Sequence, residues 1–300
     1  MALALIAVQG VGCWDAWGGG ASNEEVSGSE ASGPLEAADP APVSEQPASA
    51  PGTVQSRIPP TEGFVRVAQA PGSFGHWLRE RPLLPGRPDV LLYNGELKRN
   101  QTAHHAVIDI DVGSKDLQQC ADAVMRLRAE YLYAGSCANT ISFNFTSGDA
   151  ARWSMWQAGQ RPKVQGNSVS WHTTSSPDGS HQNFRRYLNT VFMYAGSASL
   201  ERELVQVADP SKVQPGDVFI QGGYPGHAVV VLDVAENESG ERQMMLAQSY
   251  MPAQQIHILR GFDARSPWYT ARRSGVLQTP EWRFDYSDLH RFDSVDCVGE

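Results

Sequence analysis

The segment PGDVFIQGG at 215–223, followed by GHAVVV at 226–231, contains the residues of this chain best suited to chemistry. A turn signal starts a short apolar run, a glycine-rich loop reverses the chain, and His227 opens the next apolar run. A histidine at this position lies at the end of a sheet, where a loop can leave its ring partly solvated. The ordinary pKa of imidazole is close to neutral, so we predict that His227 acts as a general acid or base.

This segment resembles the PGD and GH motifs of papain-like cell-wall peptidases and amidases of the NlpC and CHAP types. In these families the histidine partners a cysteine at a helix N-terminus, and a polar residue on the next strand orients the ring. The next apolar run here is MMLAQS at 244–249, so the resemblance implies that Gln248 or Ser249 orients His227. The resemblance predicts a papain-like domain that hydrolyses peptidoglycan or another peptide amide.

Cys120 is the candidate nucleophile, because it precedes His227 in the papain-like order. It lies one turn into a predicted helix, where backbone N–H groups and the helix dipole favour a thiolate. The same position falls on the apolar stripe of that helix, where a free cysteine is usually an inert core residue. Its flanks, QQCADA, lack the Asp-Cys-Ser-Gly pattern of the NlpC type. Counted back from the turn at 215–217, the helix in the nucleophile position is instead 183–195, whose start, SHQN, contains no cysteine.

Two functions therefore stay open. The first is a cysteine hydrolase with Cys120, His227 and Gln248 as its catalytic residues. The second is a non-catalytic envelope binding module with a degenerate papain-like site. The eight histidines show no metal-ligand spacing, so we predict neither a metal nor another cofactor.

The charge of the chain is concentrated near its N-terminus. The formal net charge is −9, and residues 14–60 contain seven acidic side chains and one basic side chain. The rest of the chain is therefore nearly neutral. It lacks the basic footprint of a nucleic-acid-binding protein, so we predict no nucleic-acid partner.

The N-terminus predicts export and anchoring. Residues 1–12, MALALIAVQGVG, are apolar and small and precede Cys13, as in a bacterial lipoprotein signal. Residues 14–60 are rich in Gly, Ser, Ala, Pro and Glu and cannot bury enough area to offset the entropy of ordering them. We predict a signal segment over 1–13 with lipidation at Cys13, a disordered acidic tether over 14–60, and an exported protein anchored to a membrane of the cell envelope.

The body of the chain, 61–296, contains no internal repeat and no second linker, so we predict one domain. Helical periodicity predicts helices over 117–133, with Asp116 and Gln119 as a capping box, and over 183–195. Short apolar or alternating runs predict strands at 90–93, 106–112, 141–145, 167–171, 217–220, 227–234, 244–248 and 255–259. Because the strands cluster late in the chain, the predicted class is α+β, with a C-terminal antiparallel sheet packed against helices.

Three cysteines remain besides Cys13, which permits one disulfide and one free thiol. Cys137 lies in an apparent loop and Cys297 lies in the polar C-terminal tail. These two are the plausible pair, and Cys120 would be left over.

Longer runs of the body resemble one particular family. The runs DVGSKDLQQCADAVMRLRAEYLYA, YLNTVFMYAGSASL, GHAVVVLDVAEN, LAQSYMPAQQIHIL and TPEWRFDYSDLHRF together look like the bacterial lipoprotein family known as domain of unknown function 4846. The resemblance spans nearly all of 64–292. It supports one domain and the lipoprotein interpretation, and it leaves the chemistry open. The partners that we predict are the membrane, through the lipid anchor, and peptidoglycan or an envelope peptide.

Overall fold

The computed structural model describes residues 52–261, 266–293 and Cys297. The described residues all belong to one compact unit of the chain, Pro47–Glu300. The predicted signal segment, Cys13 and most of the predicted tether lie outside the described residues. None of the helices in the described ranges is long and apolar enough to cross a membrane.

The last part of the predicted tether belongs to the folded domain, so the predicted domain start at residue 61 is wrong. Gly52–Thr53 form a short strand and Val54–Arg57 form a helical turn that Thr53 caps. The side chains of Val54 and Ile58 are buried in the core. The average composition of 14–60 hides these few apolar residues, and only their packing against the rest of the domain orders them.

Six helices lie in the described residues, and the two predicted helices are among them with shifted ends. The helix predicted over 117–133 begins and ends later, and the helix predicted over 183–195 begins at His181. In chain order the helices are α1 Val54–Arg57, α2 Phe74–Arg79, α3 Cys120–Ala134, α4 Trp153–Gln157, α5 His181–Tyr194 and α6 Ser197–Glu203.

The strands are short except for two in the C-terminal half. In chain order they are β1 Gly52–Thr53, β2 Phe64–Arg66, β3 Pro82–Leu83, β4 His104–Val107, β5 Ser142–Asn144, β6 Ala150–Arg152, β7 Gln160–Gln165, β8 Ser168–Thr173, β9 Leu204–Gln206, β10 Val218–Gln221, β11 His227–Asn237, β12 Arg242–Gln248, β13 His257–Leu259, β14 Trp268–Thr270, β15 Val276–Gln278, β16 Arg283–Asp285 and β17 Leu289–Phe292.

Most predicted strands correspond to one of these elements. Two predicted strands include residues that do not form a strand. The run at 90–93 makes only isolated bridges, from Leu91 to Leu97 and from Leu92 to Gln254. The run at 106–112 is a strand only as far as Val107.

The main sheet has nine strands, and every pairing within it is antiparallel. Its central order is β4-β13-β12-β11-β10-β17-β9, with β14 also paired to β12 and β2 to β11. The mixture of six helices with this sheet is an α+β architecture, as predicted.

The side chains of β11 alternate between two hydrophobic clusters, because successive residues of a strand point to opposite faces of the sheet. Ala228, Val230 and Leu232 pack in the cluster that includes the buried residues of α3. Val229 and Val231 pack in a second cluster with residues of the β15–β16 hairpin. We call these two faces of the sheet the helix side and the hairpin side.

The PGD turn is a structural feature. Gly216 has a φ of 93°, and a Cβ there would lie 2.7 Å from the Phe74 ring, so the turn needs glycine. The carboxylate of Asp217 accepts a hydrogen bond from the backbone N–H of Gln214 and two from the guanidinium of Arg291. Asp217 thereby ties the start of β10 to β17.

A disulfide joins Cys137 and Cys297, the pair that the sequence favoured, and Cys120 is free. The two cysteines are 160 residues apart in the chain. The backbone N–H of Cys297 also donates to the hydroxyl of Tyr131 on α3, at 2.6 Å. The disulfide and this hydrogen bond together attach the C-terminal tail near the end of α3.

Candidate functional site

His227 is the first residue of β11 and lies on the hairpin side of the sheet. Three aromatic rings enclose its imidazole, with centroid distances of 4.8 Å to Tyr250, 5.0 Å to Trp282 and 5.9 Å to Phe284. Only 1% of the residue is exposed, so the predicted solvation of this ring is wrong. Burial lowers the pKa of His227 to about 4, and the ring is therefore neutral at neutral pH.

Gln248, and not Ser249, is the polar residue that bonds to His227. The Oε1 atom of Gln248 lies 2.8 Å from Nε2 of the imidazole. Gln248 follows Met244 and Leu246 on the hairpin side, whereas Ser249, one residue further, donates from its hydroxyl to the backbone oxygen of Gln118. The alternation along β12 therefore assigns the two candidates to opposite sides of the sheet.

The other end of the Gln248 amide contacts a residue that the sequence did not single out. Its Nε2 donates to Oε2 of Glu281 at 2.8 Å. Glu281 forms an ion pair with Lys98, and its Oε1 accepts from the amide of Asn100 at 3.2 Å. Glu281 lies in the turn between β15 and β16, and the run TPEW at 279–282, with its turn-forming proline, was the signal that could have marked it.

A second buried histidine completes this network. His257 Nε2 lies 3.4 Å from Nε2 of Gln248, and His257 Nδ1 lies 2.9 Å from the backbone oxygen of Gln255. Burial lowers the pKa of His257 to about 3, so this ring is neutral as well.

Cys120 is the first residue of α3 and not, as predicted, one turn inside the helix. The predicted capping box does not form, because the carboxylate of Asp116 accepts from the backbone N–H of Ala253 at 2.7 Å and from the side chain of Gln119 at 3.2 Å. Asp122 caps the helix instead, since its Oδ2 accepts from the backbone N–H of Gln119 at 3.0 Å. The residue Cys120 is partly exposed, although its thiol is buried.

The thiol of Cys120 is close to His227 in the fold without being its partner. Burial, and next the charge of Asp122, raises the pKa of Cys120 to about 11, although the backbone of Ala121 and Ala228 hydrogen-bonds with the thiol. Ala228 directly follows His227, so the Cys120 thiol and the His227 ring both lie near the start of β11. Helix α3 is on the helix side, however, and the hydrogen bond of His227 goes to Gln248 on the hairpin side.

A cleft of about 570 Å³ opens beside this network. Glu281 and Tyr250 connect the two, because both line the cleft while Glu281 bonds to Gln248 and Tyr250 packs on His227. Its volume is within the range of ordinary ligand pockets. The lining combines charged, polar and apolar side chains, among them Leu97, Lys98, Arg99, Asn100, Met251 and Gln254.

Metal ligation has no cluster to support it in the described parts of the chain. No group of three or more His, Cys, Asp or Glu side chains there is placed to hold an ion. The site consists of neutral histidines, amides, aromatic rings and one carboxylate with its lysine.

The fold and the site define an α+β domain with an antiparallel sheet and a polar cleft at one end of that sheet. The family model described as "Domain of unknown function (4846)" matches residues 54–291, and the chain belongs to this family. Neither a curated protein nor a solved structure matches the chain.

Proposed function

We propose that this protein is a non-catalytic binding module of the bacterial cell envelope, which holds a peptide in the cleft beside His227. The observation that carries this proposal is that His227 bonds to Gln248 and borders a cleft whose lining does not include Cys120. His227 is bonded to Gln248 on the hairpin side of the sheet, whereas Cys120 begins the helix that packs on the other side. The hairpin-side network borders a cleft, and no thiol is among the residues that line it.

The lining of the cleft suits a peptide that carries a carboxylate. Arg99 is exposed and offers a guanidinium for a bidentate contact. Leu97 and Met251 are 59% and 62% exposed, so they give the rim apolar surface for an aliphatic side chain. The short peptides of peptidoglycan combine these groups, and they are the ligand class that we propose.

A titration tests the binding proposal. We expect a soluble peptidoglycan stem peptide to bind the wild-type chain, and Arg99→Glu to weaken binding at least tenfold, or about 1.4 kcal/mol. Arg152→Glu is the matched control, because Arg152 is also exposed but lies on β6, outside the cleft lining. Isothermal titration calorimetry measures both. Equal affinities of the two variants would contradict a ligand in this cleft.

The proposed location rests on the N-terminal sequence. Cys13 follows an apolar run and precedes an acidic, proline-rich segment, which together suit a lipid anchor and a spacer. We expect Cys13→Ser to move the protein from the membrane fraction to the soluble fraction with its thermal unfolding unchanged. Continued sedimentation of this variant with membranes would reject the anchor.

A cysteine hydrolase is the second candidate, and one observation favours it. Cys120 is a partly exposed free cysteine at the first position of α3, and the backbone of Ala121 and Ala228 hydrogen-bonds with its thiol. In such a reaction the sulfur would attack an amide carbon, His227 would pass the thiol proton to the leaving amine, and water would hydrolyse the thioester. The resting pKa values of about 11 and about 4 oppose it, because neither group is ionised at neutral pH.

One experiment separates the two candidates. Purified peptidoglycan is incubated with the protein, and released fragments are identified by mass spectrometry. A hydrolase releases fragments that are lost in Cys120→Ala and His227→Ala and kept in the control His181→Ala, which changes an exposed histidine on α5. A binding module retains the peptide and releases no fragment.

A further inference from the structure

The amide of Gln248 has an acceptor oxygen and a donor NH2 group. Its orientation therefore decides whether it accepts a hydrogen bond from His227 or donates one to it. Its Oε1 faces His227 Nε2 at 2.8 Å, and its Nε2 faces Glu281 Oε2 at 2.8 Å and His257 Nε2 at 3.4 Å. Rotating the amide by half a turn would exchange oxygen and nitrogen. The groups on the Glu281 side therefore decide the orientation.

Both groups on that side accept hydrogen bonds. The Glu281 carboxylate is paired with the ammonium of Lys98, and its Oε1 accepts from the amide of Asn100, so its oxygens act as acceptors here. His257 Nδ1 faces the backbone oxygen of Gln255, which also only accepts, so the proton of this neutral ring is on Nδ1. The Nε2 atom of His257 is consequently an acceptor as well.

The NH2 of Gln248 must face these two acceptors, and its oxygen must face His227. An oxygen can only accept, so Nε2 of His227 carries the proton. The ring is neutral, which leaves the lone pair on Nδ1. A single protonation pattern thus runs from Lys98 through Glu281 and Gln248 to His227.

We propose that Glu281 is a positioning residue, which fixes the Gln248 amide and thereby holds His227 in its Nε2–H tautomer. Glu281 also lines the cleft, so it links the ligand pocket to this histidine. The inference deepens the proposed function and rests on it in one respect. The tautomer decides whether Nδ1 accepts or donates a hydrogen bond, and this matters for recognition only if His227 takes part in it.

Glu281→Gln is a sharp test, because it keeps the size of the side chain and changes one acceptor into a donor. Lys98 can only donate, so the oxygen of the new amide stays beside Lys98 and Asn100, and its NH2 faces Gln248. The contact of Gln248 with residue 281, at 2.8 Å, is shorter than its contact with His257, at 3.4 Å, so we expect the Gln248 amide to turn round and present its own NH2 to His227. We expect the major tautomer of His227 to change from Nε2–H to Nδ1–H.

Nitrogen NMR of the full chain labelled with ¹⁵N-histidine reads the tautomer directly. The His227 signals are identified as those missing from His227→Gln. The wild type should show a protonated Nε2 and an unprotonated Nδ1, and the opposite pattern in the wild type would overturn the inference whether or not any variant folds.

Glu281→Ala distinguishes positioning from packing. It removes the carboxylate without adding a donor, and His257 still faces the Gln248 amide, so the tautomer should shift less than in Glu281→Gln. A packing role would make alanine the more disruptive change. Glu236→Gln is the matched control, because it alters a glutamate paired with Arg242 on the surface and should leave His227 unchanged.

The tautomer measurement and the peptide titration can fail separately. An unchanged His227 tautomer in a folded Glu281→Gln variant overturns the positioning role, even if the wild type binds peptide. The predicted change of tautomer in a protein that binds no peptide supports the positioning role and rejects the binding module.

Discussion

The two sides of the sheet differ in how well their buried polar groups are satisfied at the start of β11. On the hairpin side, both ends of the Gln248 amide are bonded, one to His227 and one to Glu281. On the helix side, around Cys120, Nε2 of Gln118 and Oδ1 of Asp122 are buried without a hydrogen-bond partner.

This difference separates a polar network whose central amide is bonded at both ends from a helix start with two unpaired buried polar atoms. A satisfied polar network holds its members in one geometry, whereas each unpaired buried polar atom costs stability, about 1–3 kcal/mol. Two residues that look like a catalytic pair in the sequence therefore lie in unlike environments. The comparison teaches that closeness at the start of a strand does not fix a hydrogen-bond partner, because His227 points to the hairpin side while α3 packs on the helix side.

Acid should lower the free energy of unfolding through His227 on the hairpin side, and this is the largest effect that we expect. Burial lowers the pKa of His227 to about 4, below its unfolded value near 6.5, so the unfolded state binds a proton first as the pH falls. The contribution of neutral His227 to the free energy of unfolding is present above pH 6.5 and is lost as the pH falls towards 4. The loss from this residue between pH 7 and pH 4 is roughly 3 kcal/mol.

Urea unfolding at the two pH values measures this loss. The drop in the free energy of unfolding should be smaller in His227→Gln than in the wild type by that amount. His181→Gln, at an exposed position, should show the wild-type drop. An equal drop in His227→Gln would mean that His227 is not protonated on unfolding in this range.

The next effect compares one residue from each side. Gln248→Ala leaves the Nε2–H of His227 without its acceptor and opens a gap, so we expect it to cost about 2 kcal/mol. Cys120→Ala removes one buried sulfur from a partly exposed residue and should cost less than Gln248→Ala, about 1 kcal/mol. Chemical denaturation followed by circular dichroism measures both. Similar costs would show that the helix side is as tightly organised as the hairpin side.

A smaller effect than that of Gln248→Ala should be a gain on the helix side. Burial raises the pKa of Asp122 well above its usual value, so the native state holds a proton that the unfolded state releases. Stability therefore falls as the pH rises above about 4. Asp122→Asn removes this dependence, keeps the acceptor for the backbone N–H of Gln119, and should stabilise the protein by about 1 kcal/mol at pH 8.

The same variant at low pH provides the internal control. At pH 4 the wild-type carboxyl is protonated in the folded state, so the advantage of Asp122→Asn should become small. A variant that is less stable than the wild type at pH 8 would show that the carboxylate is stabilising where it lies.

Local patterns in the sequence determined the α+β class and favoured Cys137 and Cys297 as the disulfide, whereas the resemblance to papain-like families narrowed the partner of His227 to Gln248 or Ser249. The first two features follow from information within a few residues, such as the alternation of a strand, or from the elimination of one cysteine among three. The same information predicted the helices within a few residues of their ends. The start of α3 was wrong because Asp116 bonds to Ala253, 137 residues away.

Only the tertiary structure decided which groups form the site. Glu281 lies 33 residues from Gln248 and 183 residues from Lys98, and no periodic pattern links positions that far apart. The structure also decided that Cys120 begins a helix on one side of the sheet while the ring of His227 lies on the other. The physical reason is that a strand's side chains alternate between faces, and which face meets a helix or a hairpin depends on where distant segments of the chain pack.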